Sequence, residues 1–431
     1  MTATSKRVPI PARGVDYRGK VVLAPMVRSG ECPSRLLALK YGADLVWGPE
    51  TVDRALIGTV RRVNPVTNTI DFTRFSNNGQ KDHVPEPDQR ESVIYRLHPE
   101  LEGRKLIYQI GTASPDLAVQ AASLVAGDVA GIDVNAGCPK PFSTLGGMGA
   151  ALLKTPDLLC DILRALVEKV GTPNEIGISV KIRILDTPEQ TRALVEKLVQ
   201  TGITGLTVHC RTTPMRPRER AIRDQLSMVV EICHAAGVAC LMNGDVTSRD
   251  EAIKLAEQYG ADGAMIATAA ETNSSCFRSA ADGGKDKWET VVAGYVSLAL
   301  DVENRWGNTK YLLGQMIPGK SPLYNRMKQA KSYTQLVEVL GLDAAIADKA
   351  RAVDRRLGLD EAAADAGLTK AQRKARNRAQ QEQKKEDLGT KKRSAQEAEL
   401  DSDQRAPPIP FDQTLQQASG SVPEMASTLV V

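Results

Sequence analysis

The stretch Ala130-Gly131-Ile132-Asp133-Val134-Asn135-Ala136-Gly137-Cys138-Pro139-Lys140 decides how this chain is organised. Its apolar first half predicts a buried strand, and its second half is a loop that holds an Asn, a Cys and a Lys within six residues. Pro139 biases Cys138 toward an extended conformation, so the thiol is expected at the tip of the strand, between a flexible Gly and a stiff Pro. A thiol in that place favours chemistry, although a lone Cys can also be a small buried hydrophobe at a turn.

Seven more apolar runs of similar length accompany this strand, and helical-looking segments lie between them. The eight predicted strands are Lys20–Ala24, Ala43–Trp47, Lys105–Ile110, Ala130–Asn135, Gly177–Arg183, Gly205–His209, Val238–Met242 and Gly263–Ala267. The predicted helices between the later strands are Pro156–Val170, Pro188–Thr201, Asp224–Ala236 and Arg249–Tyr259. Alternating strands and helices indicate a parallel sheet, and eight such units in about 250 residues predict an α/β fold of the TIM (β/α)8 barrel type. A doubly wound open sheet is the alternative.

The rest of the chain divides into regions of different character. The predicted regions are a flexible N-terminus at 1–16, the barrel at 17–284, a smaller all-α domain at 285–358 and a disordered basic tail at 359–431. An insertion at about 66–97 interrupts the barrel pattern with two predicted strands, Thr69–Phe75 and Val93–Leu97, around a polar loop. The predicted helices of the all-α domain are Lys287–Arg305, Ser321–Ala330, Tyr333–Leu340 and Ala344–Leu357.

Composition narrows the classes of function. Hydrophobic residues make up 42% of the 431 residues, enough for a core, and no apolar run reaches the roughly 20 residues that a membrane span needs. The seven Cys are scattered and odd in number, which indicates reduced thiols inside a cell, and the absence of a CxxC pair together with only four His argues against a metal site. The first 20 residues lack the apolar segment of a secretory signal, so we expect a cytoplasmic protein, with the nucleus or the mitochondrion as alternatives.

The net charge of +4 is unevenly distributed. Residues 370–393 hold ten Lys or Arg against three acidic residues, which leaves the rest of the chain slightly acidic. A basic tail on a nearly neutral body is typical of an arm that contacts nucleic acid nonspecifically and equally of a solvated linker, so both interpretations stay open.

The candidate site residues, most of which are polar, lie at or just after the ends of the predicted strands. They are Pro25 and Met26 after the first strand, Gln109 at the third, Asn135 and Cys138 at the fourth, Lys181 and Arg183 at the fifth, His209 and Arg211 at the sixth, Asn243, Gly244 and Asp245 after the seventh, and Ala267 and Thr268 at the eighth. Barrel enzymes keep their functional groups at this end of their strands. Each residue alone is a weak signal, but together they predict one cofactor site at the mouth of the barrel.

The residue types at the mouth suit a flavin. Amide side chains such as Gln109 and Asn135 can pair with the polar edge of an isoalloxazine ring. Lys181 or His209 can hold a positive charge where negative charge collects on reduction. The backbone of 243–245 and of the turn after the eighth strand matches the phosphate site of such barrels.

Two motifs give the chain a family resemblance. Asn135-x-Gly137-Cys138-Pro139-Lys140, followed by Ser143-Thr144-x-Gly146-Gly147-x-Gly149-Ala150-Ala151-Leu152-Leu153, resembles the tRNA dihydrouridine synthases, and most of all their eukaryotic branch acting on uridine 20 of the tRNA D-loop. The resemblance covers roughly Tyr17 to Leu357. It implies an enzyme that reduces a uridine of tRNA to 5,6-dihydrouridine, with FMN as cofactor and NADPH or NADH as electron donor.

The resemblance also implies roles for individual residues. Met26 would lie under the flavin ring, and Cys138 would protonate C5 of the uracil after hydride reaches C6, so its thiol must stay neutral. Lys140 and Arg183 would meet the RNA or the flipped base, and Arg211 is a further candidate for contact with the substrate RNA. The uridine must leave its stack to reach a buried flavin, as in base-flipping enzymes. We also expect the protein to be a monomer.

One position departs from the resembled family. The family usually carries an Arg shortly after the last strand, where it touches the phosphate of the cofactor, and this chain has Thr268 there. A Thr hydroxyl still donates one hydrogen bond, so we expect FMN binding without a cation at this position. Cys210 similarly stands where Gly is common.

Two alternative functions remain open. A flavin barrel of this kind can reduce a free pyrimidine, as the dihydroorotate and dihydropyrimidine dehydrogenases do, and the departure at Thr268 is compatible with a non-catalytic RNA-binding barrel. Basic residues of the all-α domain are the feature that favours RNA, because contact with a nucleic acid is largely electrostatic. The candidates are Arg326, Lys328, Lys331, Arg351, Arg355 and Arg356.

Overall fold

The main sheet of the protein closes into a barrel. The computed structural model describes residues 8–75, 89, 91–216 and 218–360 of the chain. The strands within those residues are β1 (Lys20–Leu23), β2 (Leu45–Trp47), β3 (Thr51–Val52), β4 (Val60–Asn64), β5 (Thr69–Arg74), β6 (Ser92–Leu97), β7 (Leu106–Gly111), β8 (Gly131–Ala136), β9 (Gly177–Arg183), β10 (Gly205–His209), β11 (Ala239–Asn243) and β12 (Gly263–Ile266). Eight of them pair in parallel in the order β2-β1-β12-β11-β10-β9-β8-β7, and β2 also pairs with β7. Because the sheet closes on itself, the predicted TIM barrel is confirmed and the doubly wound open sheet is wrong.

The eight barrel strands agree with the predicted ones to within two residues at each end. They were recognisable because parallel strands are covered on both faces and therefore read as short, nearly continuous apolar runs. Ile132, Val180 and Val208, on three neighbouring strands, are all fully buried. The short strand β3 adds to the end of β7, outside the ring.

Helices alternate with the barrel strands and continue after them. Within the described residues they are α1 (Cys32–Lys40), α2 (Asp53–Leu56), α3 (Pro115–Val125), α4 (Pro141–Thr144), α5 (Pro156–Leu166), α6 (Thr172–Asn174), α7 (Pro188–Leu198), α8 (Leu226–Ala235), α9 (Arg249–Tyr259), α10 (Thr268–Thr272), α11 (Trp288–Asp301), α12 (Trp306–Met316), α13 (Pro322–Gln329), α14 (Tyr333–Leu340) and α15 (Ala344–Leu357). Capping residues determine where some of these helices begin and end. Thr187 and Gln190 form a capping box at the start of α7, and Gly260 ends α9 with a φ of 70°.

The segment before β1 lies at the N-terminal end of the barrel strands. The N–H of Val8 donates to the carbonyl of Gly237 at 3.1 Å, and the Arg13 guanidinium donates to the carbonyl of Gly127 at 2.7 Å. Residues 8–16 are therefore more ordered than the flexible N-terminus that we predicted for 1–16, because Arg13 satisfies carbonyls that precede the strands. Residues 1–7 of that prediction lie outside the described residues.

The insertion contains three strands rather than the two predicted. The strands β4, β5 and β6 form an antiparallel sheet in that order, with Val63 opposite Ile70 and Phe72 opposite Tyr95. The sequence pattern missed β4 because none of its residues is buried, so it shows no alternation of apolar and polar positions. The predicted polar loop falls mostly at 76–90, of which only residue 89 is described.

The helices α11 to α15 surround a second apolar core. Val296, Leu313 and Tyr333 are fully buried there, and Leu37 of α1 joins them, so these helices pack on the barrel. The predicted helix Lys287–Arg305 ends at Asp301, and α12 was missed because two glycines weaken its helical pattern. No helix in the described part of the chain is both long and apolar enough to cross a membrane. The predicted tail lies outside the described residues from 361 onward.

Candidate active site

The parallel register brings the polar ends of the strands together. Asn135 is level with Lys181, Arg183 is level with His209, and His209 is level with Asn243. The other predicted residues lie around the same mouth, because each is at or just after the C-terminal end of a barrel strand. Gln109 is buried, Pro25, Met26 and Ala267 are half-buried, and Thr268 and Lys140 are exposed.

Gln109 and Asn135 hold each other and the loop that carries Cys138. The Asn135 Nδ2 donates to the Gln109 Oε1 at 3.1 Å. The Asn135 Oδ1 accepts from the backbone N–H groups of Gly137 at 3.0 Å and Cys138 at 2.9 Å. The amide of Asn135 therefore fixes the start of the loop. Because Nδ2 carries two hydrogens, its second N–H can donate to a group other than Gln109.

Asp133 orients this network from below, and the sequence analysis gave it no role. Its carboxylate accepts from the Gln109 Nε2 at 2.8 Å and from the Ser179 hydroxyl at 2.7 Å. Burial raises the pKa of Asp133 to about 6, although both hydrogen bonds and the nearby charge of Lys181 oppose the rise. Because Gln109 donates to Asp133, its carbonyl oxygen must face Asn135. The sequence signal that could have identified Asp133 is its place as a charged residue inside a predicted apolar strand.

Lys181 is a cation at the mouth without a counter-ion in direct contact among the described residues. Its Nζ donates to the Asn243 Oδ1 at 3.0 Å, and the Asn243 Nδ2 donates to the carbonyl of Met265 at 2.9 Å. Burial, followed by the charge of Arg183, lowers the pKa of Lys181 to about 8. The ammonium is thus aimed by Asn243 and would be stabilised by an anionic group.

The surroundings of His209 disfavour the positive charge that the sequence analysis offered for it. Burial lowers the pKa of His209 to about 2, and the charges of Lys181, Arg183 and Arg211 lower it further in the same direction. Its Nε2 lies 3.2 Å from the Arg211 Nη1, which can only donate, so Nε2 is the acceptor. The imidazole is therefore a neutral hydrogen-bonding group.

Arg183 and Arg211 are bound into the protein rather than directed to solvent. Both are at least nine-tenths buried. Arg183 donates to the carbonyls of Gly137 at 2.7 Å and Thr212 at 2.9 Å, and so joins the loop of Cys138 to the loop after β10. Arg211 donates to Asp245 and to the carbonyl of Glu219 at 2.7 Å. The predicted contact of both with the substrate RNA stays a prediction, and Lys140, beside Cys138, is the exposed cation of the three.

The opposite side of the mouth is an open, cationic cavity of about 930 Å3. Gly244 has a φ of 122°, and a Cβ there would lie 3.0 Å from the Cβ of Ala221, so the turn after β11 requires glycine. The lining includes His209, Arg211, Asn243, Gly244, Asp245, Ala267 and Thr268. It also includes four cations that the sequence analysis missed, Arg218, Arg220, Arg223 and Lys285. These cations were not recognisable because they lie on loops, outside the strand-end pattern.

Cys138 is surrounded by groups from distant parts of the chain. It is the one half-buried thiol, and the other six cysteines are buried. Burial, followed by the charge of Glu50, raises the pKa of Cys138 to about 11. The Ser143 hydroxyl donates to the Glu50 Oε1 at 2.7 Å.

No cluster of three or more His, Cys, Asp or Glu side chains in the described residues could hold a metal ion.

Comparison with known proteins identifies the family. The family model for dihydrouridine synthase (Dus) matches residues 22–341, which include most of the barrel and of the helices after it. The chain belongs to the dihydrouridine synthase family.

Three proteins similar to this chain differ in their sequence identity to it and in the share of each chain that is covered. A Schizosaccharomyces pombe protein named tRNA-dihydrouridine(20) synthase (NAD(P)+) is 48% identical over 334 residues, which cover 76% of this chain and 66% of the relative. Its namesake from Saccharomyces cerevisiae is 46% identical over 333 residues, which cover 76% of this chain and 84% of the relative. A human protein named tRNA-dihydrouridine(20a/20b) synthase (NAD(P)+)-like is 29% identical over 256 residues, which cover 59% of this chain and 70% of the relative. The chain thus spans slightly less than two thirds of the fission-yeast relative.

The residues at the mouth fit the cofactor of the family. Dihydrouridine synthases are FMN-dependent enzymes that use NAD(P)H. Lys181 is a half-buried ammonium whose Nζ donates to the amide oxygen of Asn243, which suits the edge of a ring that gathers negative charge. The cavity beside it has the size of a cofactor site and a cationic lining, so the phosphate loses little from the absence of an Arg at Thr268.

Proposed function

We propose that this protein is an NAD(P)H-dependent tRNA-dihydrouridine synthase that reduces uridine 20 of the tRNA D-loop to 5,6-dihydrouridine. The observation that carries the proposal is the position of Cys138, whose backbone N–H is held by Asn135 at the barrel mouth, on the network that also orients Gln109. The names of the two yeast relatives support uridine 20 as the position.

The residues of the mouth divide the binding of FMN between them. Bound FMN, once reduced by NAD(P)H, supplies the hydride that C6 of the uracil receives. Gln109 and Asn135 offer the second N–H of each amide to the polar edge of the flavin, and Lys181 offers its positive charge. Met26 offers an apolar surface under the ring. The backbone of 243–245, with Ala267, Thr268 and the cations of the cavity, holds the phosphate.

Cys138 supplies the proton that completes the reduction. Its Sγ–H bond breaks, the proton goes to C5 of the uracil, and a thiolate remains that solvent reprotonates. A pKa of about 11, raised mainly by burial, keeps the thiol protonated at neutral pH. The group is therefore an acid in this reaction rather than a nucleophile.

The substrate reaches the mouth only after the uridine has left its stack. Lys140, exposed at the start of α4 beside Cys138, is placed to contact the RNA there. A second place for contact with the RNA is a cationic cluster in the helical region, defined by Lys310, Lys328 and Lys331. Burial lowers the pKa of Lys310, and the charges of the other two lysines lower it further. Arg351 and Arg356 are paired with Asp348 and Glu303, so they contribute less to this charge.

The same proposal extends to the regions of the chain. The barrel at 17–284 carries out the reduction, the helices at 285–358 bind RNA, and the tail from 359 adds nonspecific attraction for the polyanion. None of the seven cysteines, all of which are described, forms a disulfide, which supports a reducing compartment such as the cytoplasm. We propose a monomer as the active form.

The visible spectrum of the purified protein under anaerobic conditions tests the proposed function. Flavin bands should bleach on addition of NADPH or NADH and return on addition of tRNA that lacks dihydrouridine. Bands that return only with a free pyrimidine would instead support a small-molecule reductase. Protein that binds tRNA but cannot be loaded with FMN would support a non-catalytic barrel. Transcripts with uridine 20 replaced by cytidine should fail to restore the bands, which tests the position.

A further inference from the structure

The thiol of Cys138 lies among charges of both signs. Lys181 and Arg183, on β9, interact electrostatically with it, and Arg183 also donates to the carbonyl of the preceding residue, Gly137, at 2.7 Å. Glu50, in the loop after β2, interacts with the thiol both electrostatically and by hydrogen bonding. Two neighbouring cations usually favour a thiolate, which is a nucleophile and cannot donate a proton. Burial of the thiol opposes them, and the negative charge of Glu50 is the next contribution that favours the protonated form.

The carboxylate of Glu50 occupies a space that the fold leaves for it. Glu50 is 8% exposed, its Oε1 accepts from the Ser143 hydroxyl at 2.7 Å, and its Oε2 has no nitrogen or oxygen partner in the described residues. A Cβ at Gly111 would lie 2.6 Å from the Oε1 of Glu50. Gly111 must therefore lack a side chain for the carboxylate to reach this position.

The loop after Cys138 closes on the same cluster. Gly149 has a φ of 59°, and a Cβ there would lie 2.4 Å from the Ser143 Oγ and 3.2 Å from the Cys138 Cβ. The N–H of Ala150 donates to the carbonyl of Cys138 at 2.9 Å. The thiol, the Ser143 hydroxyl and the Glu50 carboxylate are therefore packed together by two glycines, one on each side.

We propose that Glu50 is a positioning residue that keeps Cys138 as a neutral thiol against the pull of Lys181 and Arg183. A second negative charge beside a buried carboxylate is unfavourable, so loss of the thiol proton is resisted. Ser143 holds the carboxylate in place, and the contribution of Lys140 to the thiol comes from its backbone rather than its ammonium. The role in catalysis rests on the proposed function, in which Cys138 gives its proton to C5; the electrostatic effect itself does not.

The pH dependence of Cys138 alkylation by iodoacetamide tests this role. The measurement uses the FMN-loaded full chain without tRNA, with alkylation of the Cys138 peptide read by mass spectrometry. Glu50→Gln keeps the shape of the side chain and removes its charge, so the midpoint should move to lower pH by about one unit or more. Glu168→Gln, which removes an exposed carboxylate elsewhere, is the matched control and should leave the midpoint unchanged.

Two further measurements distinguish the effect of the Glu50 charge from the effect of a local change in structure. Ser143→Ala keeps the carboxylate, so its midpoint should move less than that of Glu50→Gln. The rate of dihydrouridine formation by Glu50→Gln should decline at a lower pH than that of the wild type, because its thiol ionises earlier. A Glu50→Gln midpoint equal to the wild-type value, in protein that retains its flavin spectrum, would overturn the proposal. A failure of the proposed function would appear differently, as an alkylation shift without any dihydrouridine in the wild type.

Discussion

Two groups of cations in this protein are held in different ways. Lys181 and Arg183 at the barrel mouth donate hydrogen bonds to fixed protein oxygens, and their charges act on Cys138 and His209. Lys328, on α13, and Lys331, in the loop between α13 and α14, are exposed, and their charges lower the pKa of Lys310. We propose that the inner group determines geometry and protonation, whereas the outer group attracts a polyanion. Substitutions in the two groups should therefore affect different steps.

The largest effect is expected from the group that the inner cations surround. Cys138→Ser should lower the rate of dihydrouridine formation by roughly 10^2- to 10^4-fold, because a serine hydroxyl is a far weaker acid than a thiol. The flavin spectrum and its bleaching by NADPH should be unchanged, since the backbone N–H of residue 138 still donates to Asn135. Single-turnover return of the flavin bands with tRNA measures the step directly. Near-wild-type product formation would exclude Cys138 as the proton donor.

The next effect concerns the inner cation itself. Lys181→Met should weaken FMN binding by roughly ten- to a hundredfold, which corresponds to the loss of about 1.5 to 3 kcal/mol for a hydrogen bond to a charged group. Titration of apoprotein with FMN, followed by quenching of flavin fluorescence, measures this affinity. Unchanged affinity for FMN and for tRNA in this variant would show that the inner cation has no special function and would break the comparison.

A pH titration of the same binding sharpens the assignment. The pKa of Lys181 is lowered to about 8, so the ammonium is already charged below this pH. Above this pH the free protein must first take up a proton at Lys181 before the side chain can stabilise an anionic ring edge. FMN affinity should therefore fall several-fold as the pH rises from 8 to 9. The Lys181→Met variant should lose this dependence. A dependence retained in the variant would assign the titration to another group.

The smallest effect is expected from the outer group. Lys328→Glu combined with Lys331→Glu should raise the KM for tRNA about tenfold at low salt, leave kcat unchanged and reduce the salt dependence of binding. Arg351→Gln is the matched control, since Arg351 is already paired with Asp348 and its loss should change KM little. Steady-state rates at several salt concentrations distinguish the two. A fall in kcat without a change in KM would reverse the roles of the two groups.

The site was predictable where function follows the strand-end pattern. Asn135 and Cys138 could be assigned because they end a strand whose apolar run is visible in the sequence. Glu50 could not, because it is 93 residues from Ser143 and meets it only through the closed barrel. His209 was offered as a cation, but burial and the charges of Lys181, Arg183 and Arg211 lower its pKa. Arg211 is close to it in sequence, whereas Lys181 and Arg183 reach it only through the neighbouring strand. The strand β4 escaped prediction because it buries no residue.

The local pattern of the chain was therefore enough for the barrel and for the position of its mouth. Apolar runs that alternate with helices can bury their surfaces only by forming parallel strands with the helices outside, and their C-terminal ends then meet. The tertiary structure decided which cations are bonded inward, which thiol is half-buried at the mouth and which lysines face solvent. These properties depend on desolvation and on charges brought together from distant parts of the chain, and no local pattern records them.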